Sequence, residues 1–291
     1  VTIHSYEWNN DLAECTARAA TGPQQPTNIY VSNHSYGELC GWAYGNWSGN
    51  TGYHWFGEPL TDREDRVFGQ YNSDARDWDN LCFNAPYCLP FWAAGNDRSD
   101  PVPGAGTTFY YYVSTGPPPQ RDWKSEAYDP ASDPFADNYK SGGYDTISSA
   151  GVAKNTLTIG AVNDAVSGGV RNLGSATMTS FSCWGPTDDG RIKPDLVANG
   201  VSLYSTLASS DTSYGTASGT SMSTPNAAGS AMLLIQVYRA LFPGSDMRAA
   251  TLKGLLLHTA DDLGNAGPDY RFGWGLMNTR AAADLLLRHA R

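Results

Sequence analysis

Residues 215–226 read Gly215-Thr216-Ala217-Ser218-Gly219-Thr220-Ser221-Met222-Ser223-Thr224-Pro225-Asn226. A short polar run with strand character, Thr212 to Ala217, leads into this stretch. An apolar-rich segment without Gly or Pro, Ser230 to Phe242, leads out of it and reads as a helix. Gly219 allows the backbone to turn tightly, and Pro225 suits the first turn of a helix, where its missing N–H costs nothing. Ser221 is thereby placed on a turn feeding a helix N-terminus. That end carries unpaired N–H groups and partial positive charge, which favour a developing anion. Such a serine is either a nucleophile whose oxyanion the backbone receives or one more hydroxyl in a Ser/Thr-rich cap. Spacing alone favours the cap.

Working outward, three apolar runs read as buried strands: Asn28–Ser35, Leu89–Ala94 and Leu157–Asn163. Asp195–Ala198 and Leu203–Thr206 read as shorter ones. Thr2–Tyr6 has strand character at the very start. Helices are predicted from Asp11, as cap, to about Ala20, within Leu60–Asn84, over Met247–Thr259 and over Asn278–His289. Gly41–Gly57, rich in Gly, Asn, Trp and Tyr, reads as a surface loop whose aromatics either line a peptide groove or pack the loop, packing being the better reading. Thr107–Val113 suits a hairpin strand, Gly116–Pro119 is a break, and 99–138 reads as an insertion on one domain spanning 1–291. Strands alternating with helices give an α/β fold: three layers, a mainly parallel β-sheet flanked by helices.

The 291 residues suffice for one large core. A net charge of −10, from 29 acidic against 19 basic residues, argues against nucleic acid as the partner. No run of about 18 apolar residues suggests a membrane span. The chain opens on Val1 without a leader, so it is read as processed or cut from a longer one. The five cysteines form no zinc-like pair of CxxC motifs. Cys82 and Cys88 are spaced to close a small disulfide loop around Asn84-Ala85-Pro86. With the polar composition this points to an extracellular or periplasmic, that is secreted, setting.

The string Ser218-Gly219-Thr220-Ser221-Met222-Ser223-Thr224-Pro225 resembles the nucleophile motif of the subtilisin-like serine peptidases. Other matches follow in the order expected of that family. Ser35-Tyr36-Gly37 is similar to the strand end that pairs with the substrate backbone. Ala93-Ala94-Gly95-Asn96 is similar to the wall of the first specificity pocket followed by the oxyanion asparagine. Leu157–Val162, Phe181–Pro186, Arg191–Ala198 and Gly273–Asn278 resemble further core and signature segments. The resemblance implies a peptidase acting on polypeptides, with Ser221 attacking. Asn96, the Ser221 N–H and the Thr220 hydroxyl would hold the oxyanion. It requires no cofactor. Calcium commonly supports the family, but no acidic stretch here has a Ca²⁺-loop pattern.

The family draws its aspartate from Asp-Thr/Ser-Gly and its histidine from His-Gly-Thr-His, both upstream of the matched regions. Neither motif occurs here, and none of His4, His34, His54, His258 and His289 precedes Gly-Thr. Truncation is the simplest account: a fold incomplete at its N-terminus, whose missing segment carries the Asp and His. His34, beside the presumed substrate strand, reads as structural or substrate-adjacent, and His258 as structural. Two alternatives stand beside it. One is a peptide-binding pseudoenzyme. The other is a sedolisin-like Ser-Glu-Asp peptidase using Glu7 and Asp11, although sedolisins place Asp where Asn96 stands.

Overall fold

The structure, a computed structural model, describes residues 2–57, 60–114, 121–140 and 142–291. The expected break at Gly116–Pro119 lies outside the described residues. In chain order the elements begin with α1 (Asp11–Arg18), β1 (Val31–His34), β2 (Trp42–Trp47), β3 (Asn50–Trp55) and α2 (Ser73–Asn84). Next come β4 (Leu89–Ala93), β5 (Thr108–Ser114), β6 (Arg121–Ala127), β7 (Leu157–Val162), β8 (Val166–Ser167) and β9 (Val170–Arg171). The chain closes with β10 (Leu196–Asn199), β11 (Leu203–Thr206), β12 (Tyr214–Ala217), α3 (Thr220–Leu241), α4 (Ala249–His258) and α5 (Thr279–His289).

Unbroken apolar runs become strands covered on both faces. The main sheet has the order β1-β4-β7-β10, and every pairing in it is parallel. Every residue of β7 is buried. Helix α3 packs along one face against all four strands. Ala227, Ala231 and Leu234 meet Phe91, Leu157, Ile159 and Leu196 there. The opposite face carries α1 and α2, with Cys15, Trp78, Leu81, Trp92, Ile147 and Val152 in one cluster. These are the three layers expected from the alternating pattern.

A second sheet, β2-β3-β5-β6, occupies the region read as loop and insertion. Gly41–Gly57 is not a loop. It is an antiparallel hairpin, β2 with β3, turning at Ser48-Gly49, where φ is +53° and +85°. Positive φ at both turn residues matches the twist of the flanking strands. Strand β5 then pairs parallel to β3 and antiparallel to β6. Packing, not groove lining, is where Trp42 and Trp55 go: both are buried, against Phe109 and Tyr128.

Four other expectations need correction. Thr2–Tyr6 forms no strand. Asp11 is the first residue of α1, not its cap, and the helix ends at Arg18. Pro225 stands sixth in α3, in its second turn. Cys82 and Cys88 are free thiols, as are Cys15, Cys40 and Cys183. The turn after α2 carries Cys88 into the cluster with Cys15 and Trp78, while Cys82 stays half-buried on the helix. Among the described residues, no helix is long and apolar enough to cross a membrane.

Candidate active site

Parallel strands deliver their carboxyl ends to one edge of a sheet, and ligand sites gather there. Here β1 and β4 are neighbours, with His34 opposite Trp92, so the residues after them, Ser35–Gly37 and Ala94–Asn96, emerge side by side. The N-terminus of α3 faces them. Gly219 caps that helix at φ +152°, a conformation L side chains rarely adopt, and this turns Thr220 and Ser221 toward the strand ends.

The contacts between these pieces are reciprocal. Ser221 Oγ donates to the Ser35 carbonyl at 3.1 Å, and Ser35 Oγ donates to the Ser221 carbonyl at 2.9 Å. The second bond has a cause in the sequence. In a regular helix the N–H of residue 225 would reach the carbonyl of 221, but Pro225 has none to give. Ser35 takes that carbonyl instead.

Asn96 is fixed by Thr220. Its Oδ1 accepts from the Thr220 N–H at 2.9 Å and from the Thr220 hydroxyl at 3.0 Å. A backbone N–H can only donate, so the atom facing it must be the amide oxygen. Nδ2 is left directed elsewhere, and Asn96 is exposed to solvent. Thr220 itself is fully buried, with its hydroxyl proton engaged by Asn96, so it orients the amide. Among the described residues the N–H of Ser221 has no protein acceptor, whereas those of Met222 and Ser223 turn back to the Gly219 carbonyl.

Tyr36, Gly37, Ala93, Ala94, Gly95, Asn96, Thr220 and Ser221 all line one cleft of about 130 Å³. Ser35 joins them through its two bonds to Ser221. The nine residues that the family resemblance singled out therefore lie together, whereas Glu7 and Asp11 do not line this cleft. Reading the sequence missed Glu38, Asp97, Ser148, Ser149 and Gly151, which line the same cleft. Ser149, at φ +54°, belongs to a segment that carries no recognisable motif.

No histidine or carboxylate bonds to Ser221 Oγ among the described residues. His34 points to the other face of β1. Its Nδ1 lies 2.7 Å from the Tyr36 hydroxyl and its Nε2 3.0 Å from Ser32 Oγ. Its ring stacks on Trp92 and meets Trp78 edge-on. Burial lowers its pKa, with Asp11 opposing, so it is a neutral core group. The Tyr36 hydroxyl donates to Asp11 Oδ2 at 2.7 Å, which ties this cleft residue to α1. Burial would raise the Asp11 carboxyl, but bonds from His34, Tyr36 and the Leu12 N–H leave it below the ordinary value. Glu7 is exposed and precedes α1, so it does not share a helix face with Asp11. His54 is buried in the second sheet, and His258 and His289 are exposed.

Comparison with known proteins bears on this geometry. The model of the subtilase family matches residues 1–275. The chain belongs to the subtilase family. It is 33% identical over 148 residues to serine protease AprX of Bacillus subtilis, covering 46% of this chain and 30% of that protein. It is also 33% identical over 143 residues to subtilisin amylosacchariticus, covering 49% of this chain and 30% of the other. A 66-residue stretch is 44% identical to C5a peptidase of Streptococcus pyogenes, covering 23% of this chain and 6% of that one. The matched stretches thus span under a third of these relatives. The CspB protease of Clostridium perfringens shares the fold, with a TM-score of 0.52 at 15% identity over 80% of this chain and 67% of that one.

Proposed function

We propose that this subtilase chain carries the nucleophile and oxyanion-binding part of a secreted serine endopeptidase. A polypeptide would lie along Ser35–Gly37, with its scissile carbonyl over Ser221. Oγ of Ser221 adds to the carbonyl carbon while a base takes its proton, and the oxygen becomes an oxyanion. Asn96 Nδ2 and the Ser221 N–H receive that charge at the positive end of α3. The C–N bond then breaks, the amine leaves with a proton, and water releases the acyl group. Thr220 acts through Asn96 by holding its amide, and no cofactor is needed. The base and its aspartate come, in this reading, from an N-terminal segment of the same protein outside residues 1–291.

The observation that carries the proposal is the Ser221–Asn96–Thr220 arrangement, in which one amide oxygen is doubly held and its Nδ2 is left free beside the nucleophile's own N–H. The Ser221 hydroxyl here donates to Ser35, a carbonyl that cannot accept a proton covalently. The 291-residue chain alone is therefore expected to show no ordinary peptidase turnover.

The test uses a fluorophosphonate probe and a peptide assay on the natural full-length protein and on the 291-residue chain. Ser221 should be the labelled residue in the full-length protein, and Ser221→Ala should abolish turnover. Labelling elsewhere, or full activity in Ser221→Ala, would sink the assignment. Full-length protein that is neither labelled nor active would favour a peptide-binding pseudoenzyme.

A further inference from the structure

The cleft beside Ser221 has a charge imbalance that the peptidase reading does not use. Among the described residues lining it, the charged ones are Glu38 and Asp97, with no Lys, Arg or His. Asp97 directly follows Asn96, so the chain itself sets it next to the oxyanion amide. Its Oδ2 is folded back toward Gly95 and lies 3.8 Å from Cys183 Sγ, a weak donor. The neighbouring cation does not reach it. Arg98 Nε donates to the Ser182 carbonyl at 2.7 Å, and its guanidinium lies 3.9 Å over the Trp184 ring. Asp65 and Asp100 stand close enough to raise Asp97, and all three raise Asp137. Where a substrate side chain would enter, the only charge the described lining residues can present is the negative one of ionised Glu38 and Asp97.

We propose that this cleft selects a lysine or arginine on the acyl side of the scissile bond, with Asp97 as the counter-charge and Glu38 at the rim. This deepens, and rests on, the peptidase reading. An aliphatic stem would lie against Tyr36 and Trp92, leaving the cation to travel inward to Asp97. Burial, then Asp100, pushes the Asp97 carboxyl up to about 7. The groups acting on it are Cys183, Cys40, Asp100, Asp65 and Asp137, and all are acids or thiols. A half-buried carboxylate without a counter-charge is unfavourable when ionised, and an incoming ammonium or guanidinium supplies that counter-charge.

Benzamidine and its neutral relative benzamide test the idea by calorimetry on the 291-residue chain at pH 8, which needs no turnover. Benzamidine should bind and benzamide should not. Asp97→Asn should weaken benzamidine by about tenfold or more, as for a desolvated charge pair that loses one member. Glu38→Gln, at the exposed rim, should weaken it less. Equal binding of the two probes to the wild-type chain overturns the inference, as does an undiminished affinity in folded Asp97→Asn. On the natural full-length protein, kcat/KM should favour Arg over Leu at the acyl-side position. Cleavage after Leu but not Arg defeats this inference and leaves the peptidase reading standing. Asp97-dependent benzamidine binding without any Ser221-dependent turnover does the reverse.

Discussion

The two four-stranded sheets are built from different materials. The parallel sheet is aliphatic, with Leu157, Ile159 and Leu196 packed against the alanines of α3. The inserted sheet is aromatic on both faces: Trp42, Trp55 and Phe109 on one, and Trp47, His54, Tyr110, Tyr112 and Trp123 stacked on the other. The residues of the candidate site close or follow β1 and β4 of the first or lie at the start of α3, which packs on it. Parallel strands bring their carboxyl ends to one edge, where a helix N-terminus can meet them. A mixed sheet of hairpins has no such edge, and large rings provide its burial in few residues. The site therefore depends on the aliphatic sheet, and the aromatic one is a separately packed addition.

Paired core truncations probe that division most strongly. Phe91→Ala should cost about 3–5 kcal/mol and, because Phe91 lies in β4 directly against α3, the helix that carries Ser221, should also abolish probe labelling of Ser221. Phe109→Ala should cost a similar amount locally and leave labelling intact. Thermal melts with labelling on each variant decide the matter, and loss of labelling in Phe109→Ala would show that the two sheets are one cooperative unit.

Asn96→Ala asks whether the end of β4 contributes chemistry or only shape. In the active full-length protein, kcat should fall by about 10²–10³ with little change in KM, a magnitude carried over from subtilisin's own oxyanion asparagine. A change confined to KM would make Asn96 a binding residue. The melting temperature should fall as well, because the N–H and hydroxyl of buried Thr220 lose the acceptor they share.

A pH-dependent effect falls on Asp97, the residue that follows Asn96 after the end of β4. Its folded pKa, about 7, lies above the unfolded one, so the folded state holds the proton through the interval between them. The stability this provides is complete below about pH 4 and is lost as pH rises through about 7. Asn cannot titrate, so melting of Asp97→Asn should gain on wild type between pH 4 and pH 8. Parallel curves across that range would mean that Asp97 is solvated.

Much of the parallel sheet was legible because its strands are continuous apolar runs. Leu157–Val162 announces a buried strand with no help from context, and outside that sheet Leu203–Thr206 falls where it was read, in an antiparallel pair with Tyr214–Ala217. Helix α3 declared itself through a stretch free of Gly and Pro. The hairpin at Gly41–Gly57 was hidden because its side chains are rings and glycines, residues whose alternation does not look apolar against polar. Thr2–Tyr6 misled in the opposite way, through β-prone residues with no neighbouring strand to pair. In the site, Ser221, Asn96 and Thr220 were legible because their chemistry depends on a local string. Asp97 and Glu38 were not, since the meaning of a carboxylate depends on which cations fail to surround it. That is a property of the folded neighbourhood.

Pro225 has a mechanical consequence. By denying Ser221 its helical partner, it hooks the first turn of α3 onto the strand end that would receive a peptide, with the two serines forming a double pin. Helix start and strand end are held to one another from both sides, so a displacement of Ser35 is passed to Ser221 through two bonds and not one.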